Sequence, residues 1–169
     1  TTQVDPERID GVAISNQRET MVLLDPEGRP LAPATLWLDS RARDTVAVLA
    51  AEVGGERLHA ISGKPVSIIP CVYRLRYLRE HAPELLDGAA QILSVHDFLT
   101  QKVTGKAGAS WTSACPFGIF DINTKSWSRE ILDSIGIPLD KLPPVHKPGS
   151  RIGEVTAEAA AATGLATLA

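Results

Sequence analysis

The chain has 169 residues, 44% of them hydrophobic and 22% charged, and carries a net charge of −3. That is the balance of one ordinary globular domain, and it gives no electrostatic reason to expect nucleic acid or an anionic membrane as partner. No apolar run approaches the ~18 residues that span a bilayer, and two cysteines without C-x-x-C spacing exclude a thiolate zinc site and a disulfide scaffold and fit a reducing, cytoplasmic compartment.

The start at Thr1 lacks the basic and apolar regions of a signal peptide. The end at Thr167-Leu168-Ala169 falls mid-pattern, so the chain reads as a piece of a larger protein. Ile9 to Ser15, with Val12-Ala13-Ile14 at its centre, is expected to be a buried strand. The polar block Asn16-Gln17-Arg18-Glu19 follows. Thr20–Leu24 is a second strand, Asp25-Pro26-Glu27-Gly28 a type I turn, and Thr35–Leu38 the return strand of a hairpin. Arg41–Val53 has a helical apolar period at Val46, Leu49, Ala50 and Val53, stopped by Gly54-Gly55. Glu56–Ile61 is a short further helical turn.

Pro70 suits the first position of a helix that turns Val72, Leu75 and Leu78 inward. Pro83–Leu86 reads as a connector and Ile92-Leu93 as a small strand. Ser94–Thr104 reads as a helix with Val95, Phe98, Leu99 and Val103 on its buried face, closed by Gly105. Gly118–Ile122 is a strand, Asn123-Thr124-Lys125 its turn, and Ser128–Ile135 a helix ending at Gly136. Leu142–Gly149 is a stiff loop and Ile152–Val155 a last strand. Thr156 caps an Ala-rich helix that stops at Gly164. The pattern is mixed α and β, with sheet covered by helices.

Neither G-x-x-x-x-G-K-[ST] nor G-x-G-x-x-G occurs, so the phosphate cradles built from those loops are absent. His96-Asp97 is better read as the first turn of a helix, with Ser94 and Asp97 as a capping box, than as metal ligands. Cys71 and Cys115 have no adjacent base and read as buried thiols. Gln17-Arg18-Glu19 is the informative cluster. It follows an expected strand, where the ligand crevices of α/β sheets open. Arg18 offers a fork of donors, Glu19 acceptors, and Gln17 both. That set suits vicinal hydroxyl groups; the competing reading is an exposed loop with a weak ion pair. Trp37 offers an indole face for the C–H face of a sugar. Asp39 or Ser40 suits a helix cap, and Arg41 a solvated first turn.

The order of these pieces resembles the N-terminal half of the FGGY carbohydrate kinases. The matching stretches are Gly11–Thr20, Val22–Asp25, Gly28–Leu31 and Leu36-Trp37-Leu38-Asp39-Ser40-Arg41. They continue through Ser94–Leu99, Gly118–Ile122, Gly136-Ile137-Pro138, Leu142-Pro143, and Glu158 to Leu165, so the resemblance covers roughly residues 9–165. It implies an α/β fold, a partial ribonuclease-H-like domain of the actin and hexokinase type with a mixed sheet and covering helices. It implies one incomplete N-terminal, substrate-side domain over 1–169. That domain would belong to an enzyme that moves the γ-phosphoryl group of ATP, with Mg²⁺, to a hydroxyl of a sugar or polyol. Gln17, Arg18, Glu19, Trp37 and Asp39 map onto the family's substrate side, Asp39 within its Trp-x-Asp-x-Arg stretch.

The resemblance also implies that the chain begins after the first β-hairpin, with its Asp-x-Gly-Thr motif. It would end before the Gly-Asp segment that supplies the aspartate base. No catalytic residue and no metal ligand is then expected within the chain. ATP and Mg²⁺ belong to the intact enzyme and are not expected to bind strongly to this chain alone. Three departures leave the substrate open. Ile69 stands where glycerol kinases place an aromatic, Ser110 where most relatives carry an acid, and Gln17-Arg18-Glu19 where xylulokinases carry Met-His. Without its hairpin, the Val12–Ile14 strand would show an open edge and Val46, Leu49 and Val53 an uncovered stripe. The expected partners are therefore a small sugar or polyol, the remainder of the kinase chain, and a second copy in a homo-oligomer. The alternative is a stand-alone, non-catalytic binding module of the same architecture.

Overall fold

The computed structural model describes residues 5–167. Its first buried strand is β1, Met21–Leu24, whose four consecutive apolar residues are all buried. A run without polar alternation needs cover on both faces and both edges. One edge is paired antiparallel with β2, Gln91–Ser94, in the register Met21 to Ser94 through Leu24 to Gln91. The other edge is met by single bridges from Met21 to Thr35 and from Leu24 to Pro30. The turn between them closes as expected, with Gly28 N–H donating to Asp25 O at 3.0 Å. The expected strand over Thr35–Leu38 is reduced to its first residue, because Leu36, Trp37 and Leu38 turn outward and are exposed.

Residues 9–15 do not form a strand. Val12 is 46% exposed, and no segment among the described residues pairs with this stretch. A strand is stabilised by its neighbours' hydrogen bonds, and this one has none.

The next helices are α1 (Arg43–Leu49) and α2 (Gly55–Ser62), joined by a π-helical turn over Ala50–Gly54. Gly54, at φ +93°, ends the first helical stretch as expected, and the next helix begins at once and is longer than the turn read over Glu56–Ile61. α3 (Cys71–His81) starts one residue after Pro70, which serves as its N-cap rather than its first turn. α1 lies against α3, and Thr45 Oγ1 donates to Tyr73 O at 3.0 Å. This contact covers the stripe expected to be bare: Leu49 is fully buried, and Val46 and Val53 pack on the core. The connector at Pro83 is a helix, α4 (Pro83–Gly88).

α5 (Val95–Thr104) has the expected capping box and a left-handed Gly105 at its end. Its phase differs from expectation. Asp97 and Thr100 face the interior, whereas Leu99 is exposed and Val95, Phe98 and Val103 are half-buried. The box draws Asp97 inward, and the rest of the helix follows that setting.

The C-terminal half contains β3 (Ala109–Ser110), α6 (Trp111–Ala114), β4 (Phe120–Asp121), β5 (Ser126–Trp127), α7 (Arg129–Ser134), β6 (Val145–His146) and α8 (Ala157–Thr163). β4 is the expected strand, shorter than read from the sequence, and β5, which was not read, pairs antiparallel with it across the expected turn. β6 pairs parallel with β3 inside what had read as a loop, and residues 152–155 form no strand. Among the described residues the strands thus form three two-stranded sheets, parallel and antiparallel, covered by helices. Trp127 anchors this half: Phe117 and Phe120 meet its ring edge-on, and its Nε1 donates to Pro143 O at 2.7 Å.

Candidate functional site

Two chain segments reach the same end of β1. The Met21–Thr35 bridge is antiparallel, with N···O distances of 3.1 and 2.8 Å. Residues before Met21 and residues after Thr35 therefore leave the bridge at the same end of β1. Gln17 Nε2 donates to Thr20 Oγ1 at 3.1 Å, leaving its carbonyl oxygen as a free acceptor. Arg18 and Glu19 take part in no ion pair among the described residues. The expected weak pair between them is therefore absent, and both charged ends remain available.

Glu19 sits in the left-handed region at φ +53°, a conformation rare for a residue with a side chain. Trp37 is 43% exposed. Asp39 does not cap α1, whose N-cap residue is Ala42 and has no side-chain cap bond. Its carboxylate instead accepts from Arg41 N and Nε at 3.0 Å and from Nη2 at 2.5 Å. These bonds from Arg41 hold the Asp39 carboxyl below its ordinary pKa, against the opposing effect of partial burial; the positive charge of Arg74 adds to the lowering.

An open groove of about 830 Å³ runs between residues 10–16, α5 and residues 146–153. Arg18, His96, Thr100, Ser110, His146 and Arg151 are among its walls. Of the five residues singled out from the sequence, only Arg18 lines this groove. Gln17, Glu19, Trp37 and Asp39 lie outside it, at the end of β1.

Sequence reasoning missed Arg74, on α3. Its side chain is buried, and it hydrogen-bonds the backbone of Glu19, Ile68 and Ile69. A cation between Val72 and Leu75 reads as the solvated side of an amphipathic helix, and no local signal marks it otherwise. The capping-box reading of Ser94 and Asp97 holds and Cys71 is buried as expected, whereas Cys115 is only half-buried. His96 Nδ1 lies 3.2 Å from Asp97 Oδ1 within the capping box. Burial pushes the Cys71 thiol up to about 11, which makes it a poor nucleophile.

Residues 1–168 match the model of the FGGY family of carbohydrate kinases, N-terminal domain. The chain belongs to this family. It is 33% identical to a probable L-xylulose kinase of Pasteurella multocida, over 98% of this chain and 35% of that protein. It is 30% identical to the xylulose kinase of Bacillus subtilis, over 97% of this chain and 33% of that protein. A rhamnulokinase of Yersinia pestis is 29% identical over 90% of this chain and 32% of its own length. The chain thus spans about a third of the curated relatives it matches.

Among solved structures, the xylulose kinase of Rhodospirillum rubrum superposes with a TM-score of 0.83 at 32% identity, covering 88% of this chain and 30% of that one. The gluconate kinase of Lactobacillus acidophilus superposes at 0.87 with 22% identity, over 96% of this chain and 34% of that one, a likeness of fold. The fold is therefore that of the N-terminal domain of an FGGY kinase.

Among the described residues no group of three or more His, Cys, Asp or Glu side chains is placed to hold a metal ion. The phosphate-binding glycine motifs are likewise missing from the sequence. No described helix is long and apolar enough to cross a membrane.

Proposed function

We propose that this chain is the substrate-side part of an ATP-dependent carbohydrate kinase, which phosphorylates a hydroxyl group of a small ketose or polyol. The observation that carries this reading is the Met21–Thr35 bridge. It sets Arg18 and Glu19, which form no ion pair among the described residues, and the exposed indole of Trp37 at the same end of β1. The names of the relatives, L-xylulose kinase, xylulose kinase and rhamnulokinase, support a ketose.

In this reading Arg18 donates to hydroxyl oxygens of the sugar. The Glu19 carboxylate accepts its hydroxyl protons, and the free Gln17 carbonyl accepts another. Trp37 packs on the C–H face. Asp39, kept ionised by Arg41, is a fixed acceptor beside it. The phosphoryl donor, its Mg²⁺ and the base belong to the remainder of the kinase. Phosphoryl transfer rests on positioning and electrostatic stabilisation, and this part supplies the positioning of the acceptor. The domain over 1–169 is accordingly incomplete as a catalyst, and a cytoplasmic setting suits its two free thiols.

The test uses the full-length protein. Arg18→Ala and Glu19→Ala each raise KM for the sugar between about tenfold and about a hundredfold, the worth of a hydrogen bond to a charged group. KM for ATP stays unchanged. Sugar kinetics equal to wild type in both variants would overturn this reading.

A further inference from the structure

Arg74 is a large side chain with only 2% of its surface exposed. A guanidinium stays charged at any physiological pH. Buried cations are ordinarily matched by a carboxylate, yet Arg74 forms no ion pair among the described residues. Its partners are backbone carbonyls and a thiol. Nη1 donates to Ile69 O at 3.0 Å and to Ile68 O at 3.3 Å. Nη2 donates to Glu19 O at 2.5 Å and to Cys71 Sγ at 3.4 Å. Its Nε has no partner.

Core packing alone does not call for this arrangement, since an apolar side chain of similar volume fills such a space without burying a charge. What the fork accomplishes is to join two segments that are distant in sequence. One carries Gln17, Arg18 and Glu19. The other is the stretch before α3, in which Ile69 is 44% exposed. The bond to Glu19 O is made where that residue holds φ +53°, and this dihedral fixes the direction in which the Glu19 side chain leaves the backbone. A planar guanidinium with several fixed donors suits such a bridge better than a point charge.

We propose that Arg74 is a positioning residue for the acceptor sugar. It holds Glu19 and the Ile68-Ile69 stretch at a set separation through their carbonyls, and does not touch the sugar itself. This rests on the sugar-site reading of Gln17–Glu19. The positive charge of Arg74 also reaches Asp39, where it favours the carboxylate. One buried group thus influences both segments that meet at the end of β1.

The experiment compares Arg74→Met, which keeps the volume and removes the donors, with Arg74→Lys, which restores a buried cation, in the full-length protein. The expected result is a rise in sugar KM of about tenfold or more for Arg74→Met, with KM for ATP within about twofold of wild type. Arg74→Lys, a point charge without the fork, recovers only part of the loss. Combined with Glu19→Ala, the Arg74→Met effect shrinks, because the two residues act on one contact.

Wild-type sugar KM in Arg74→Met, equal changes for sugar and ATP, or full recovery by Arg74→Lys each overturn the proposal. If Arg18→Ala and Glu19→Ala raise sugar KM while Arg74→Met does not, the positioning role falls and the site stands. If none of the three does, the site reading falls and the positioning role with it. Should Arg74→Met fail to fold, Arg74→Gln, which keeps one amide donor and loses the fork, takes its place with the same expectation, a raised sugar KM with KM for ATP unchanged; a wild-type sugar KM overturns the proposal.

Discussion

Ser94 and Asp97 each close the other's free amide. Asp97 N–H donates to Ser94 Oγ at 3.2 Å, and Ser94 N–H donates to Asp97 Oδ2 at 3.0 Å. Both residues are buried, so neither amide has water to fall back on. Ser94→Ala is expected to lower the stability of the chain by about 1 kcal/mol, a typical loss for an N-cap. Asp97→Ala costs more, because it removes a larger, fully buried side chain and its contact with His96 as well as its half of the box. Urea unfolding of both variants checks the order; equal effects would mean that the Ser94 amide finds another partner.

Gly118 and Gly28 have nearly the same backbone, φ +72° and +75°, in different surroundings. A Cβ on Gly118 would stand 2.8 Å from Pro70 Cβ and 3.1 Å from Val72 Cγ1, while one on Gly28 would meet nothing within 4 Å. Gly28→Ala should cost about 1–2 kcal/mol, from the left-handed backbone alone. Gly118→Ala adds a clash at the start of α3 and should lose clearly more, measured by the same unfolding experiment.

Asp39 supplies a pH test. Its folded-state carboxyl is held below the ordinary value by Arg41. The pair therefore contributes fully above the unfolded-state pKa of about 3.9 and is lost as pH falls through the folded-state value. Arg41 is largely exposed, so the contribution stays within about 1 kcal/mol. The stability difference between wild type and Asp39→Asn should be largest near neutral pH and shrink below about pH 4. A difference that grows on acidification would contradict the ion pair.

The isolated chain is expected to self-associate. Residues 9–15 leave backbone groups without strand partners, and Val12, Leu36, Trp37, Leu38 and Leu99 are exposed. Open backbone edges and apolar patches both promote association. Sedimentation equilibrium across a wide concentration range is the check, with a concentration-independent monomer as the contrary result.

Local chemistry made several elements readable in advance. The Ser94–Asp97 box, the Asp25–Gly28 turn and the Thr156 cap are written within four residues each, and each forms as read. Elements that depend on distant partners were not readable. Val12-Ala13-Ile14 has the composition of a strand but no neighbour to pair with. β6 exists because Ala109 N–H reaches Pro144 O at 2.9 Å, a contact no window around Val145 contains. In α5 the apolar period pointed to Leu99, yet the buried cap set the phase. At the candidate site, Gln17, Arg18 and Glu19 were legible from their donor and acceptor types. Arg74 was not, because its role comes from carbonyls up to 55 residues away in sequence.

The three tryptophans stand in three environments, and this makes them separate optical probes. Trp127 is enclosed by Phe117 and Phe120 in the core. Trp111 has the Lys125 ammonium 5.9 Å from its ring centroid. Trp37 is 43% exposed at the end of β1. Emission from the buried Trp127 is expected to be blue-shifted and to report loss of the whole fold. Emission from the water-facing Trp37 is expected at the red edge. Titration and denaturation of one sample can thus be followed by colour, without a label.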